Sequence, residues 1–420
     1  MTAQVTAYPF KLGHRPVLDG VRGLSILVVL FEHGYLFKYG RGGFLGVDIF
    51  FVLSGLLITS LLAQEWQETG SLSFRKFYAR RALRLLPALF ALVIFTAIQT
   101  TIFPPPVGRL PVFRHLLGVV FYVENWAGGY TTIGHTWSLS IEEQFYIAWP
   151  IIFFVLLSLR LTPRKIMLIL GGMVLLVAAH RAQMFYTRYG WRLPQFDLSL
   201  LRLYTGTDTR CDSLLIGCIA GIMLSWGLIP RRLSFLRSWR IVVSLSCGLI
   251  ALAIIFIPIF WNYLYFGVFT LFGIAVASAT LFMVVCNRSL LSRVMQWSVL
   301  RWFGRLSYSL YLWHVTVYSA YASNFGPLPI RSYTLRITIP LAIKFAGSLV
   351  LACASYYLIE QPFLRMKKRF SVVESDDTVA DPNRSAFSIM PGLRPLEPGL
   401  ALAGDHGAGF VNVKDGLPPA

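Results

Sequence analysis

Residues 18–35 read LDGVRGLSILVVLFEHGY and residues 43–58 read GFLGVDIFFVLSGLLI. In each, Leu, Ile, Val and Phe run on with almost no polar face, and a few ionisable side chains are set into the run rather than along one side of it. A helix lying at a water-facing surface needs a polar stripe. These have none, so they are solvated by lipid or by other helices. The rest of the chain repeats the pattern: its 420 residues are 56% hydrophobic and 14% charged, where a soluble domain carries roughly 25% charged residues. The mean hydropathy is +0.62.

A helix crossing about 30 Å of hydrocarbon takes roughly 20 mostly apolar residues. Ten stretches meet or approach that length, at approximately residues 23–37, 44–63, 83–102, 136–159, 165–184, 211–226, 240–257, 263–286, 304–323 and 334–359. The expected fold class is all-α, a polytopic membrane protein of about ten transmembrane helices. Residues 115–126 make about half a span and read as a re-entrant or interfacial piece.

Lys and Arg number 38 against 19 Asp and Glu, a formal charge of +19. Because the basic residues lie between apolar runs, the expected partner is the lipid bilayer and no nucleic acid. With the N-terminus placed inside, 23 Lys and Arg fall in inner segments and 11 in outer ones, which predicts that both termini are cytoplasmic. Residues 1–370 form the membrane domain. Residues 371–420, with ESDDTVADPNRS followed by closely spaced Gly and Pro, read as a disordered cytoplasmic tail. Met1 to Pro16 lacks the pattern of a cleavable signal peptide. The cysteines, Cys211, Cys218, Cys247, Cys286 and Cys353, lie apart without a C-x-x-C pair, which predicts neither a disulfide framework nor a zinc site. No metal is implied.

An ionisable side chain at membrane depth is unfavourable by a few kcal/mol, so each one is a functional candidate. Arg22 and His33 are eleven residues apart, which on a helix brings them within about 20° of one direction and about 16 Å apart along the axis. Glu142 and Glu143 lie about two turns in from His135 in GHTWSLSIEEQFYIAWP, and His314 lies about 15 Å in from Gly304 in the ninth span. Asp48 lies one turn into the second span. Two imidazoles and one to three carboxylates at overlapping depth can move a proton away from bulk water, a neutral His accepting it while a carboxylate orients the ring. Asp19, Arg22 and Asp48 could equally be a charge network that fixes helix packing, His135 a boundary residue, and His314 a hydrogen-bonded structural histidine. Lys344, in the tenth span, has no evident partner. Arg80 and Arg84 are one turn apart with Arg81 beside them, a set able to hold phosphate oxygens, or to anchor the chain against anionic lipid. The G-x-S-x-G elbow, the P-loop, the G-x-G-x-x-G turn and the H-E-x-x-H pair are all lacking, which excludes conventional serine hydrolases, nucleotide hydrolases and metalloproteases.

The blocks LDGVRGLSILVVLFEHG, GFLGVDIFFVLSGLLIT, FYARRALRLLP, HTWSLSIEEQFYIAWP, RCDSLLIG, WFGRLSYSLYLWH and YYLIEQPFLR follow one another in the order seen in the acyltransferase-3 family of integral membrane acyltransferases. The resemblance covers about residues 16–369. It implies ten helices in a bacterial-type plasma membrane and transfer of an acetyl or other short acyl group from cytoplasmic acyl-CoA, with acetyl-CoA the expected donor. The implied acceptor is a hydroxyl of an extracytoplasmic glycan, lipid-linked sugar or small natural product. It further implies Arg22 and His33 as the essential Arg and His of the first helix, with His33 as general base, Glu142 and Glu143 as an acidic pair of which one orients His33, and Arg80, Arg81 and Arg84 against the acyl-CoA phosphates. Arg210 and Asp212 fall in a polar block where acceptor contact is implied, and Asp48 and His314 join them as candidate substrate-binding residues. Many relatives continue into a periplasmic SGNH-type hydrolase domain; the expectation here is a membrane domain alone.

Two other classes compete with this reading. A proton-coupled transporter or glycan translocase would use His33, Glu142, Glu143 and Lys344 as a relay, though it would have no need of the basic cluster before the third span. A noncatalytic scaffold for envelope assembly would leave the buried ionisable groups without a use.

Overall fold

The computed structural model describes residues 13–34, 41–127, 132–192, 198–230, 233–325 and 332–366, which are helices and short connections without a strand among them. In chain order the helices are α1 (Pro16–His33), α2 (Gly46–Thr69), α3 (Phe74–Ile102), α4 (Arg109–Val120), α5 (Glu124–Ala127), α6 (Trp137–Ser158), α7 (Pro163–Tyr189) and α8 (Leu198–Thr205). They continue with α9 (Thr207–Arg210), α10 (Asp212–Ser225), α11 (Leu233–Phe256), α12 (Phe269–Val285), α13 (Leu290–Met295), α14 (Ser298–Asn324), α15 (Tyr333–Ala354) and α16 (Gln361–Met366). Local chemistry sets several ends: Thr162 accepts from the backbone N–H of Lys165 with Pro163 opening α7, and Gly70 takes a left-handed φ of 69° to close α2.

Each of the ten expected spans coincides with a helix, although seven helical stretches among the described residues are long and apolar enough to cross a membrane. The three that fall short are α1, α10 and α14. The first and last carry the ionisable residues of the candidate site, and α10 is 14 residues long. All three are packed inside the bundle, α1 on α14 and α10 on α2, so protein rather than lipid solvates them. The half-span anticipated at 115–126 is the hairpin of α4 and α5. Residues 1–12 and 367–420, with both termini and the anticipated tail, lie outside the described residues, as do residues 35–37 of the first expected span.

Burial separates an inner from an outer set of helices. The most apolar windows of α2 and α12 are 78% and 72% buried, against 17% for both α11 and α15. Without a hydrophobic force between helices in lipid, close approach depends on small residues. A side chain at Gly23 would collide with the Leu300 carbonyl of α14, and one at Gly304 with the Asp19 carbonyl of α1; Gly55 and Gly217 hold α2 and α10 together in the same way. Contacts of α1 with α14 advance together along both helices, from Gly23 at Leu300 to Leu30 at Tyr318. The two therefore run parallel, as a first and a ninth span should.

Beside α2 lies a set of sealed charges. Arg210 Nη2 donates to both Asp48 oxygens at 3.0 and 2.9 Å, Ser213 donates to the same carboxylate, and the guanidinium sits 3.6 Å from the Phe269 ring centroid. Arg181 donates to Asp212 at 2.9 Å, to the Thr209 and Tyr265 carbonyls and to Thr270. All four charged side chains are at most 1% exposed. The geometry ties Asp48, Arg210 and Asp212 into helix packing, although Arg210 Nε and Nη1 have no hydrogen-bond partner among the described residues.

Removing one member of a buried ion pair strands the other, typically at about 3–5 kcal/mol, whereas replacing both by apolar groups is often neutral. Asp48→Leu or Arg210→Met alone should therefore sharply lower the unfolding temperature of the detergent-solubilised protein, and the double variant should regain much of the loss. A double variant that folds as well as wild type but shows a raised acceptor KM would return the pair to substrate binding. Gly304→Leu should separate α1 from α14 and lower both thermal stability and activity, measured in the same preparation.

Candidate active site

The helical spacing of Arg22 and His33 puts both on the face of α1 that meets α14. Arg22 Nη2 donates to Ser307 Oγ at 3.3 Å, and the His33 ring lies 4.9 Å, centroid to centroid, from His314. Ser307 and His314 are two turns apart on α14, so the parallel pair of helices carries matched polar positions at two depths. His33, the last residue of α1, is exposed.

Glu142 of α6 accepts from Ser54 of α2 at 3.0 Å and from Tyr146 at 3.3 Å, and Tyr146 also donates to Ser54 at 2.7 Å. A small pocket of about 60 Å³ is lined by Arg22, Glu142, Ser138, Ser307, Tyr308 and Tyr311 together with apolar residues of α2 and α6. The carboxylate pair divides there: Glu142 faces the pocket, while Glu143 is buried, with Oε1 unpartnered among the described residues. The next residue has a separate task. Gln144 donates to the Tyr122 carbonyl at 2.7 Å and to Asn125 at 2.9 Å, and accepts from Thr207 at 2.6 Å. It thereby ties α6 to the α4–α5 turn, where Tyr122 holds a left-handed φ of 55°.

Neither glutamate orients His33, contrary to expectation. His33 Nδ1 bonds the Val29 carbonyl of its own helix at 3.0 Å, a geometry in which the ring hydrogen sits on Nδ1 and the Nε2 lone pair is free. The neighbours of His33 are imidazoles instead of carboxylates: His314, and behind it His135, whose ring is 5.2 Å from that of His314. His314 is fully buried. His135 is part of this cluster. Among the described residues no group of three or more His, Cys, Asp and Glu is placed to hold a metal ion.

At the other end of the pocket the basic cluster also divides. Arg80 lies 3.8 Å from Glu65, whose other oxygen accepts the Ser73 backbone N–H at 2.7 Å, so it secures the α2–α3 turn. Arg81 covers the Tyr146 ring at 4.4 Å. Arg84 is in electrostatic reach of Arg22, Arg81 and Glu360. Arg22, Arg81, Arg84 and Glu142 are all partly accessible, a continuous line of polar surface leading from the basic end of α3 to the pocket.

Glu360 was missed in the sequence. It ends a π-helical turn, Ser355–Glu360, that swings it inward to accept from Ser309 of α14. An ionisable residue at the end of the last span was the signal for it. Ser54, Ser307 and Tyr311 offered none, since single hydroxyls in apolar helices are common. Lys344 finds its partners in aromatic rings, 5.6 Å from Tyr318 and 5.3 Å from Tyr321, an attraction of ammonium for the ring face.

Comparison with known proteins identifies the family. Residues 15–359 match the family model described as an acyltransferase domain, Acyl_transf_3. The chain is 30% identical over 368 residues to the peptidoglycan O-acetyltransferase OatA of Listeria monocytogenes, covering 83% of this chain and 55% of that protein. It is 32% identical over 365 residues to the putative peptidoglycan O-acetyltransferase YrhL of Bacillus subtilis (83% and 54%) and 33% identical over 372 residues to the putative O-acetyltransferase SAS0844 of Staphylococcus aureus (84% and 58%). The chain thus spans about half the length of the curated relatives it matches. No solved structure matches it. With the match running from the start of α1 to the π-helical turn at Glu360, this multi-pass membrane protein belongs to the acyltransferase-3 family.

Proposed function

We propose that the chain transfers an acetyl group from a cytoplasmic acyl-CoA thioester to a hydroxyl of an extracytoplasmic carbohydrate, in the plasma membrane of a bacterium. By likeness to the names of its relatives that carbohydrate is peptidoglycan. The observation that carries the reading is the exposed His33 on the same helix face as Arg22, which itself lines a pocket with Glu142 and Tyr311. An imidazole sealed in hydrocarbon could meet neither substrate.

The donor's phosphates rest on Arg81 and Arg84, where guanidinium groups bind phosphate oxygens bidentately, while Arg80 keeps the turn beneath them in place. Arg22, held by Ser307, meets the thioester end. The pocket of about 60 Å³ has room for a two-carbon acyl group. His33 Nε2 removes the proton from the acceptor hydroxyl as its oxygen attacks the thioester carbonyl, and the sulfur leaves as thiolate. Glu142, fixed by Ser54 and Tyr146, offsets the positive charge of Arg22 and Arg81.

Loss of the general base should lower the rate by about 10²- to 10⁴-fold; a His33→Ala protein that acetylates glycan at the wild-type rate in membranes removes the assignment. Arg81→Ala with Arg84→Ala should raise the acetyl-CoA KM by at least about tenfold, since hydrogen bonds to charged groups contribute about 1.5–3 kcal/mol each, and an unchanged KM sinks the phosphate clamp. CoA at about 100 times its Kd should stabilise the solubilised protein by about 2.7 kcal/mol, read as a rise in unfolding temperature; a proton-coupled carrier would show none.

A further inference from the structure

The hydroxyls of Ser138, Ser307, Tyr308 and Tyr311 line the pocket at Arg22, and three of them have their hydrogens committed to protein. Tyr308 donates to the Leu85 carbonyl at 2.8 Å and Tyr311 to the His135 carbonyl at 2.6 Å. A carbonyl only accepts, so the Tyr311 hydrogen is spent there, and in the 2.5 Å contact between Ser138 and Tyr311 the serine must be the donor. Ser307 differs. Its oxygen accepts from Arg22 Nη2 at 3.3 Å, while its own hydrogen meets no acceptor among the described residues, although the residue is only 1% exposed. Arg22 Nε is likewise buried without a partner among the described residues. Buried donors are nearly always satisfied. Two spare donors on bonded neighbours beside one cavity are a place for an acceptor atom, and the guanidinium polarises the O–H that remains.

We infer that Ser307 is a catalytic residue, its hydroxyl and the Arg22 guanidinium together holding the thioester carbonyl oxygen as it becomes an oxyanion. The inference rests on the reading of the chain as an acetyl-CoA-dependent O-acetyltransferase with His33 as base. The acceptor oxygen bonds the carbonyl carbon, the carbonyl π pair moves onto its oxygen, and the acceptor proton goes to His33. The pair then returns, the carbon–sulfur bond breaks, and CoA leaves as thiolate; His33, which is exposed, gives its proton to water. Charge gathers on that oxygen only as the bond forms, so donors fixed there beforehand lower the barrier more than they tighten binding. The depths fit. Ser307 and His314 are seven residues apart on α14, about 10.5 Å along its axis, and the His33 ring lies 4.9 Å from that of His314. From a hydrogen-bond donor through the carbonyl to a hydroxyl poised for attack, and on to the base that deprotonates it, is on the order of 10 Å. Glu142, which lines the same pocket, has its oxygens tied to Ser54 and Tyr146.

Ser307→Ala removes the donor. Assayed as the full chain in membranes with acetyl-CoA and glycan, it should lower kcat by about 10²- to 10³-fold, the usual effect of losing an oxyanion donor, while both KM values stay within about twofold. Wild-type kcat, or a loss confined to KM, overturns the assignment. A serine that merely seats Arg22 is told apart with dithioacetyl-CoA, whose C=S group accepts hydrogen bonds weakly. The wild-type preference for acetyl-CoA over this analogue should shrink at least about tenfold in Ser307→Ala, and an unchanged preference overturns the oxyanion role. Should the alanine lower the unfolding temperature, Ser307→Cys, of nearly the same volume but with a weak S–H donor, takes its place: a comparable loss of kcat supports the assignment and wild-type kcat overturns it. His33→Ala assayed alongside keeps the two ideas apart. An active His33→Ala defeats the underlying reading, whereas an inactive one beside a fully active Ser307→Ala defeats the oxyanion site alone.

Discussion

The candidate site depends on how closely α1 and α14 approach. Gly23 and Gly304 bring each backbone against the other's carbonyls, and only at that separation can Arg22 reach Ser307 and His33 lie 4.9 Å from His314. In lipid the approach has no hydrophobic driving force; dispersion and the hydrogen bonds across the seam must supply it. The same contacts that hold the helices together therefore also assemble the site. A larger residue at either glycine would loosen the fold and pull the histidines apart in one step.

Buried charge is handled in two ways on the two sides of α2. Around Asp48, Arg181, Arg210 and Asp212 almost every oxygen meets a donor, and the charges are at most 1% exposed. Such a cluster specifies which helices meet. Around Arg22, Arg81, Arg84, Glu142 and His33 the groups are only partly satisfied and partly accessible. An unfinished polar set next to a cavity is unfavourable for stability and is where a charged donor and an attacking hydroxyl can be received.

Much of this was legible beforehand, and the residues that were not share a cause. The ten spans and the common face of Arg22 and His33 follow from local periodicity. The assignment of α1, α10 and α14 to the interior was foreshadowed by their short or charge-bearing apolar runs. By contrast, the division of Glu142 from Glu143 and of Arg80 from Arg81 and Arg84 turns on which neighbouring helix each side chain meets, and adjacent residues on a helix differ in direction by about 100°. Lys344 lacked a partner on paper because aromatic rings carry no signal as cation acceptors, yet Tyr318 and Tyr321 stand over it.

What the amino-acid sequence determined by itself was the solvent and the inventory: an apolar chain, helical throughout its spans, with a small number of ionisable groups at membrane depth. Hydrophobic run length and charge placement are properties of a segment, so they survive without knowledge of the rest. Which groups neutralise one another and which stay open was decided only by the tertiary structure. Pairing joins residues such as Asp48 and Arg210 across 162 positions or His135 and Leu312 across 177, and no local pattern can specify a contact whose geometry depends on how several helices close around it.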